Sequence, residues 1–212
     1  AAGLGSTAVV ADAVSSAMNA YAAAGLTAAE ATDVLIATAR AGKAEPEQLA
    51  QSLGRVLPLA SELGVTFQDV GGSIAALSLS GNDAAQASTL LTNVLSKILK
   101  PSKQGADALA DVGLSAEKLR GMIADKGLLG TLQELREKLG TSGFVKLFED
   151  AQAVQGVLAL TGQNADQVAK AFDEVNNSAG GTESAFATWA DSMGAKNSKA
   201  FADLQVALIE FG

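Results

Sequence analysis

Leu49, Leu53, Val56, Leu57, Ala60 and Leu63 recur three or four positions apart, which places them on one side of a helix. Pro46 stands where a first-turn proline belongs, and Pro58 falls inside the pattern, where it is expected to kink or split the helix. The same period returns between Asp83 and Leu99, through Ala87, Leu90, Leu91, Val94, Leu95 and Ile98. It stops at Lys100-Pro101, because a residue before proline avoids helical angles. Leu128, Leu132, Leu135 and Leu139 mark another helix, and Phe144, Phe148, Ala151, Val154 and Leu158 mark one or two more. Phe172 and Val175 anchor the next, and Phe186, Trp189 and Met193 precede a last run through Phe201, Leu204, Leu208 and Phe211. No stretch alternates with period two and β-branched enrichment, so the pattern predicts an all-α fold without a sheet.

The connections repeat a phrase: Gly25-Leu26-Thr27, Gly64-Val65-Thr66 and Gly113-Leu114-Ser115. Glycine ends a helix in the left-handed conformation, the apolar residue packs back on it, and the hydroxyl caps the helix that follows. Glu30 lies three residues after Thr27 and Asp69 three after Thr66, which resembles a capping box; Lys118 stands at that position after Ser115, so its box is incomplete. Gly81-Asn82-Asp83 and Gly180-Gly181-Thr182-Glu183 read as further breaks. The intervals are unequal, so no regular solenoid is predicted, and sustained apolar heptads for one long coiled coil are missing. We expect a compact multi-helix bundle over residues 1–178, made of roughly eight to twelve short helices with Gly and Pro breaks. A longer C-terminal helical segment over 182–212 is expected to lead to the rest of a longer polypeptide, since the chain starts Ala1-Ala2-Gly3 without an initiator Met.

Composition narrows the chemistry. Apolar residues make up 48% of the chain but aromatics only 4%, and alanine supplies much of the difference. Alanine favours helix but gives it a shallow face, at roughly 25 cal/mol per Å² buried, so modest stability or dependence on neighbours is expected. Cysteine and histidine are absent, which removes disulfides, thiolate nucleophiles, zinc fingers and imidazole catalysis. A net charge of −8 repels DNA phosphates and anionic lipid. The densest basic group, Lys97, Lys100 and Lys103, reads as a solvated helix end rather than a nucleic-acid patch, because no aromatic platform accompanies it. The uncharged stretch from Ala13 to Ala29 is too short and too polar to span a bilayer, and no signal peptide is visible.

Candidate catalytic pairs are Glu134 with Glu137 and Glu149 with Asp150. A glycosidase needs two carboxylates across a cleft, one with a raised pKa. Here the plainer reading is solvated faces with basic neighbours, such as Glu134 beside Lys138. Val70-Gly71-Gly72-Ser73 lacks the lysine of a phosphate loop and reads as a close helix crossing. Arg55 reads as a stem lying along its helix, with a partner contact as the alternative. No calcium-loop spacing occurs, and no catalytic, metal or cofactor site is predicted. Phe186, Trp189 and Met193 share one helical face and are candidates for a partner contact, with burial in a core as the plain alternative.

Several stretches, in order, resemble the conserved core of the phage tail tape measure family, the group with minor-tail-protein homology. The strongest is Glu47-Gln48-Leu49-Ala50-Gln51-Ser52-Leu53-Gly54-Arg55-Val56-Leu57-Pro58, followed by Ala60 and Leu63-Gly64-Val65. Ile74-Ala75-Ala76-Leu77, Gly81, the Ala84–Leu91 helix and Leu99-Lys100-Pro101-Ser102 continue it. Met18-Asn19-Ala20-Tyr21 and Gly25-Leu26 fit upstream; Phe148, Gly156-Val157-Leu158-Ala159-Leu160, Asn177-Ser178-Ala179-Gly180 and Thr182-Glu183 fit downstream. The resemblance implies a structural, non-enzymatic segment of a tape measure protein, located in the tail lumen or tip of the virion and in the host cytoplasm during assembly. It implies roles in tail assembly, tail length and DNA ejection. The implied partners are further copies of itself in a threefold, the tail tube protein, tail-tip or baseplate proteins and tail assembly chaperones, with host membrane contact at ejection and no specific nucleic-acid binding. Two other classes compete. A pore former of the colicin kind would show a hairpin of long uncharged helices, which the sequence lacks, and a cell-wall hydrolase would clear peptidoglycan in a zymogram.

Overall fold

The computed structural model describes residues 7–162 and 164–181. Among them are ten α-helices and two 3-10 turns, with no strand. The helices are α1 (Thr7–Ala20), α2 (Ala28–Gly42), α3 (Pro46–Ser52), α4 (Leu57–Leu63), α5 (Phe67–Leu79), α6 (Ala84–Leu99), α7 (Lys103–Asp111), α8 (Ala116–Phe148), α9 (Ala151–Thr161) and α10 (Ala165–Asn176). The 3-10 turns are Ala22–Ala24 and Leu53–Arg55. The all-α expectation holds. The segment 182–212, with its expected longer helix, lies outside the described residues.

The repeated turns form as the residues dictate. Gly25, Gly64 and Gly113 all take left-handed angles, and the next residue's N–H reaches back to the carbonyl five before it: Leu26 to Tyr21, Val65 to Ala60 and Leu114 to Leu109. Thr27, Thr66 and Ser115 then cap α2, α5 and α8. The Thr27–Glu30 box closes in both directions. The expected Thr66–Asp69 box does not close: Thr66 accepts from the Asp69 N–H, but the Asp69 carboxylate takes the Leu128 N–H of α8 in place of the Thr66 N–H. A closed box joins Asp83 to Gln86 at the start of α6 instead. The expected split near Pro58 is the 3-10 turn just ahead of it, which leaves Pro58 in the first turn of α4.

α5 is the centre. Phe67 and every residue from Asp69 to Leu77 are buried. α2 and α10 close on one side of it, and α6 and α9 lie on another. Small residues let α2 and α10 approach. A Cβ on Gly71 would stand 2.4 Å from the Thr38 Oγ1, and one on Gly72 would stand 3.1 Å from the Phe172 Cα. The glycine pair is thus a helix crossing, as its sequence implies. Gly42, at the end of α2, is used in the same way: its Cβ would meet the Ala75 Cα at 2.7 Å. The left-handed position that ends α2 therefore falls to Lys43, at φ 53°.

α8 is one label over three straight pieces. Gly127 (φ 73°, ψ 176°) and Gly140 (φ 59°, ψ 179°) break it, in a region of backbone space that is essentially glycine's alone. The corners have a reason in the sequence. Leu119 and Leu128 are nine residues apart, as are Leu135 and Phe144; nine residues make about two and a half turns of an unbroken helix. Their side chains would point to opposite sides. With the corners, Leu119, Leu128, Leu135 and Phe144 are all buried in one core.

Candidate functional site

Each candidate side chain can be followed to its surroundings. Glu134 lies on the surface of α8 in ion pairs with Lys126 and, at 3.4 Å, with Lys138. The Lys126 hydrogen bond holds its carboxyl below the ordinary carboxylate value, the reverse of what a proton donor needs. Glu137 is exposed. Glu149 bonds the Ser102 hydroxyl at 2.9 Å and pairs with Lys97 at 3.4 Å. Asp150 caps α9, accepting from the Gln152 and Ala153 N–H groups. Neither carboxylate pair acts together: Glu134, Glu149 and Asp150 serve separate structural bonds, and Glu137 points to solvent. The basic group divides as well, for Lys97 ends α6 while Lys103 opens α7. Val70-Gly71-Gly72-Ser73 lies in the middle of buried α5, where no loop exists to hold a phosphate. Arg55 is exposed at the rim of a surface groove. The candidates Phe186, Trp189 and Met193 lie outside the described residues.

Two carboxylates, Asp69 and Asp33, are buried and bonded across the core. Asp69 Oδ2 accepts the Leu128 N–H at 2.9 Å. The corner at Gly127 leaves that N–H without a partner within its own helix, and α5 supplies the cap from across the core. A Cβ on Gly127 would sit 3.0 Å from the same oxygen. Burial pushes the Asp69 carboxyl above its ordinary value, against the Leu128 and Thr66 hydrogen bonds. Tyr21, whose hydroxyl donates to the Val65 carbonyl at 2.9 Å, is raised chiefly by burial and further by the Asp69 charge. Asp33, buried in α2, accepts the Gly180 N–H at 2.8 Å and so ties down the turn after α10. No sequence spacing announces bonds of this range. The only signal was an acidic residue at an otherwise apolar helix position.

What remains is surface. Among the described residues no three His, Cys, Asp or Glu side chains cluster to hold a metal, and no helix is long and apolar enough to cross a membrane. The grooves are open and shallow. One, about 490 Å³, runs between α7 and the later part of α8, with Asp107, Asp111 and Lys146 on its walls. Among the described residues, Leu79, Val145 and Leu158 are the large apolar side chains left exposed. Among the described residues the chain is a helical bundle with an intact core and open grooves on its surface.

The sequence profile of the phage-related minor tail proteins matches residues 1–144, more than half of the chain, and the chain belongs to that family. It is also similar to the tape measure protein of Pneumococcus phage Dp-1, at 25% identity over 197 residues. That match takes in 91% of this chain but only 17% of the relative, so the chain spans a small part of the length of the curated protein it matches. No solved structure matches.

Proposed function

We propose that this chain is a folded helical module of a tape measure protein, acting in tail assembly, tail length and DNA ejection through contacts with other proteins and not through catalysis. The carrying observation is the similarity of nearly the whole chain to one short part of a much longer tape measure protein. Further copies of the chain, the tail tube, tail-tip or baseplate proteins and assembly chaperones are the partners this reading assigns, with the tail of the virion as its place. The fold shapes the role. A straight helix gains about 1.5 Å per residue, whereas a bundle of this size has a radius of gyration of only about 16 Å. Residues spent in the bundle add little length, so the module suits anchoring at the tail tip or folded storage better than measuring.

In-frame deletion of residues 25–113 from the parent gene tests this. As ruler, that stretch would be worth about 130 Å of tail. We expect electron micrographs to show failed assembly or tails of unchanged length. Tails shortened in strict proportion to the deletion would overturn the module reading.

A further inference from the structure

Between Ser102 and Glu149 the chain makes an excursion whose two ends meet. The Ser102 hydroxyl donates to Glu149 Oε2 at 2.9 Å, and Lys97 Nζ pairs with Glu149 Oε1 at 3.4 Å. The helices on either side of this clasp, α6 and α9, pack directly on each other. A Cβ on Gly156 would stand 3.1 Å from Val94 Cγ2 and 3.2 Å from the Leu90 carbonyl oxygen, and the Asn93 amide donates to Gln152 Oε1 at 2.8 Å. α6 and α9 thus hold together without help from the excursion. α7, for its part, packs on α8, where Gly105 comes close to Leu147.

Little bolts the excursion down. Among the described residues, side-chain bonds cross from residues 103–148 to the bundle at two places, both on the middle piece of α8 between Gly127 and Gly140. Asp69 on α5 takes the Leu128 N–H, and the Arg136 guanidinium donates to the Thr161 carbonyl at the end of α9. The ion pairs of Glu134 with Lys126 and Lys138 stay inside the excursion. Its helices are weak by themselves. No piece of α8 is longer than the roughly 12–15 residues below which an isolated helix is marginal, and Gly121, Gly130 and Gly143 stand inside them. Burial of Leu119, Ile123, Leu132 and Leu135 supplies the remaining hold. Few cross-links, weak helices and a closed base mark a region that opens below global unfolding. We infer that residues 103–148 are a flap: they lift from the bundle as one unit, pivoting on the Ser102–Glu149 clasp when the Asp69 and Arg136 bonds part, while α6 and α9 stay packed. The inference goes beyond the reading of the chain as a tail module; in a stored module, unpacking begins at the flap.

Native-state hydrogen exchange of the 212-residue chain in low urea tests it. The slow amides of 103–148, Leu128 included, should share one opening, at least a hundredfold more frequent than that of the slowest α5 amides. Leu91 and Val157 should exchange with α5 and not with the flap. Val34, where α2 crosses α5 at Gly71, lies in a part that stays folded when the flap lifts. Val34→Ala should therefore speed exchange in α2 and α5 about tenfold and leave 103–148 unchanged. Arg136→Ala cuts a bolt and should speed exchange in 103–148 about fivefold. One opening shared by 103–148 and α5 overturns the inference, and so does equal acceleration of both by Val34→Ala. Separate openings on the two sides of Gly127, flap-like exchange at Leu91 and Val157, or an unchanged flap in Arg136→Ala overturn it as well. Tail length in the deletion is blind to each of these results, so the two readings fail separately.

Discussion

α5 and α8 both depend on glycine, for opposite reasons. In α5, Gly71 and Gly72 are regular helical residues whose missing side chains let α2 and α10 close in. In α8, Gly127 and Gly140 hold backbone angles that turn the chain, and nothing lies within 4 Å of where a Gly140 Cβ would be. One helix uses glycine as absent volume, the other as backbone freedom. A glycine in an apolar helix therefore says that something close happens there, but only the three-dimensional setting says which.

Substitutions can break this contrast. The largest effect is expected at the crossing formed by Gly42. A methyl there meets three backbone atoms of Ala75 within 3.3 Å, and backbone cannot swing aside. Gly42→Ala should cost about 3 kcal/mol in urea denaturation, the upper end of ordinary overpacking; an unchanged midpoint would show that α2 slides freely over α5. Gly127→Ala comes next, at about 2 kcal/mol for a side chain forced into a glycine-only region. Hydrogen exchange should rise first at Leu128, and unaltered protection there would refute the corner's dependence on glycine.

A smaller effect belongs to Asp69. Its folded-state pKa is raised, so the stability it lends is complete below the ordinary value of 3.8 and drains as pH climbs through the folded value. The advantage of the native protein over Asp69→Asn should shrink over that rise and then level off. An advantage that grows with pH would mean that hydrogen bonding outweighs burial. The smallest effect is a gain: Gly121 is exposed in helix with open space around it, and Gly121→Ala should stabilise by about 0.5–1 kcal/mol.

Much of the fold was legible because its rules are local. Gly64-Val65-Thr66 carries its own turn, and the Asp83–Leu99 pattern carries its own cap, apolar stripe and stop. Features written across the chain were not. The cap of Leu128 sits on α5, and Lys43 takes the left-handed position because Gly42 beside it is held against Ala75. The expected Thr66–Asp69 box failed for the same reason: a long-range demand on the carboxylate prevailed over a short-range one. The aromatic candidates Phe186, Trp189 and Met193 stand beyond the described residues.

The corners of α8 carry a last consequence. Bent, its three pieces turn their leucines and phenylalanines inward together. Drawn out into a single rod of about 50 Å, the same residues would form adhesive stripes on two opposite flanks, each of them in water. The two corners thus spare this stretch a cost that a straight helix would meet twice over, once on each flank.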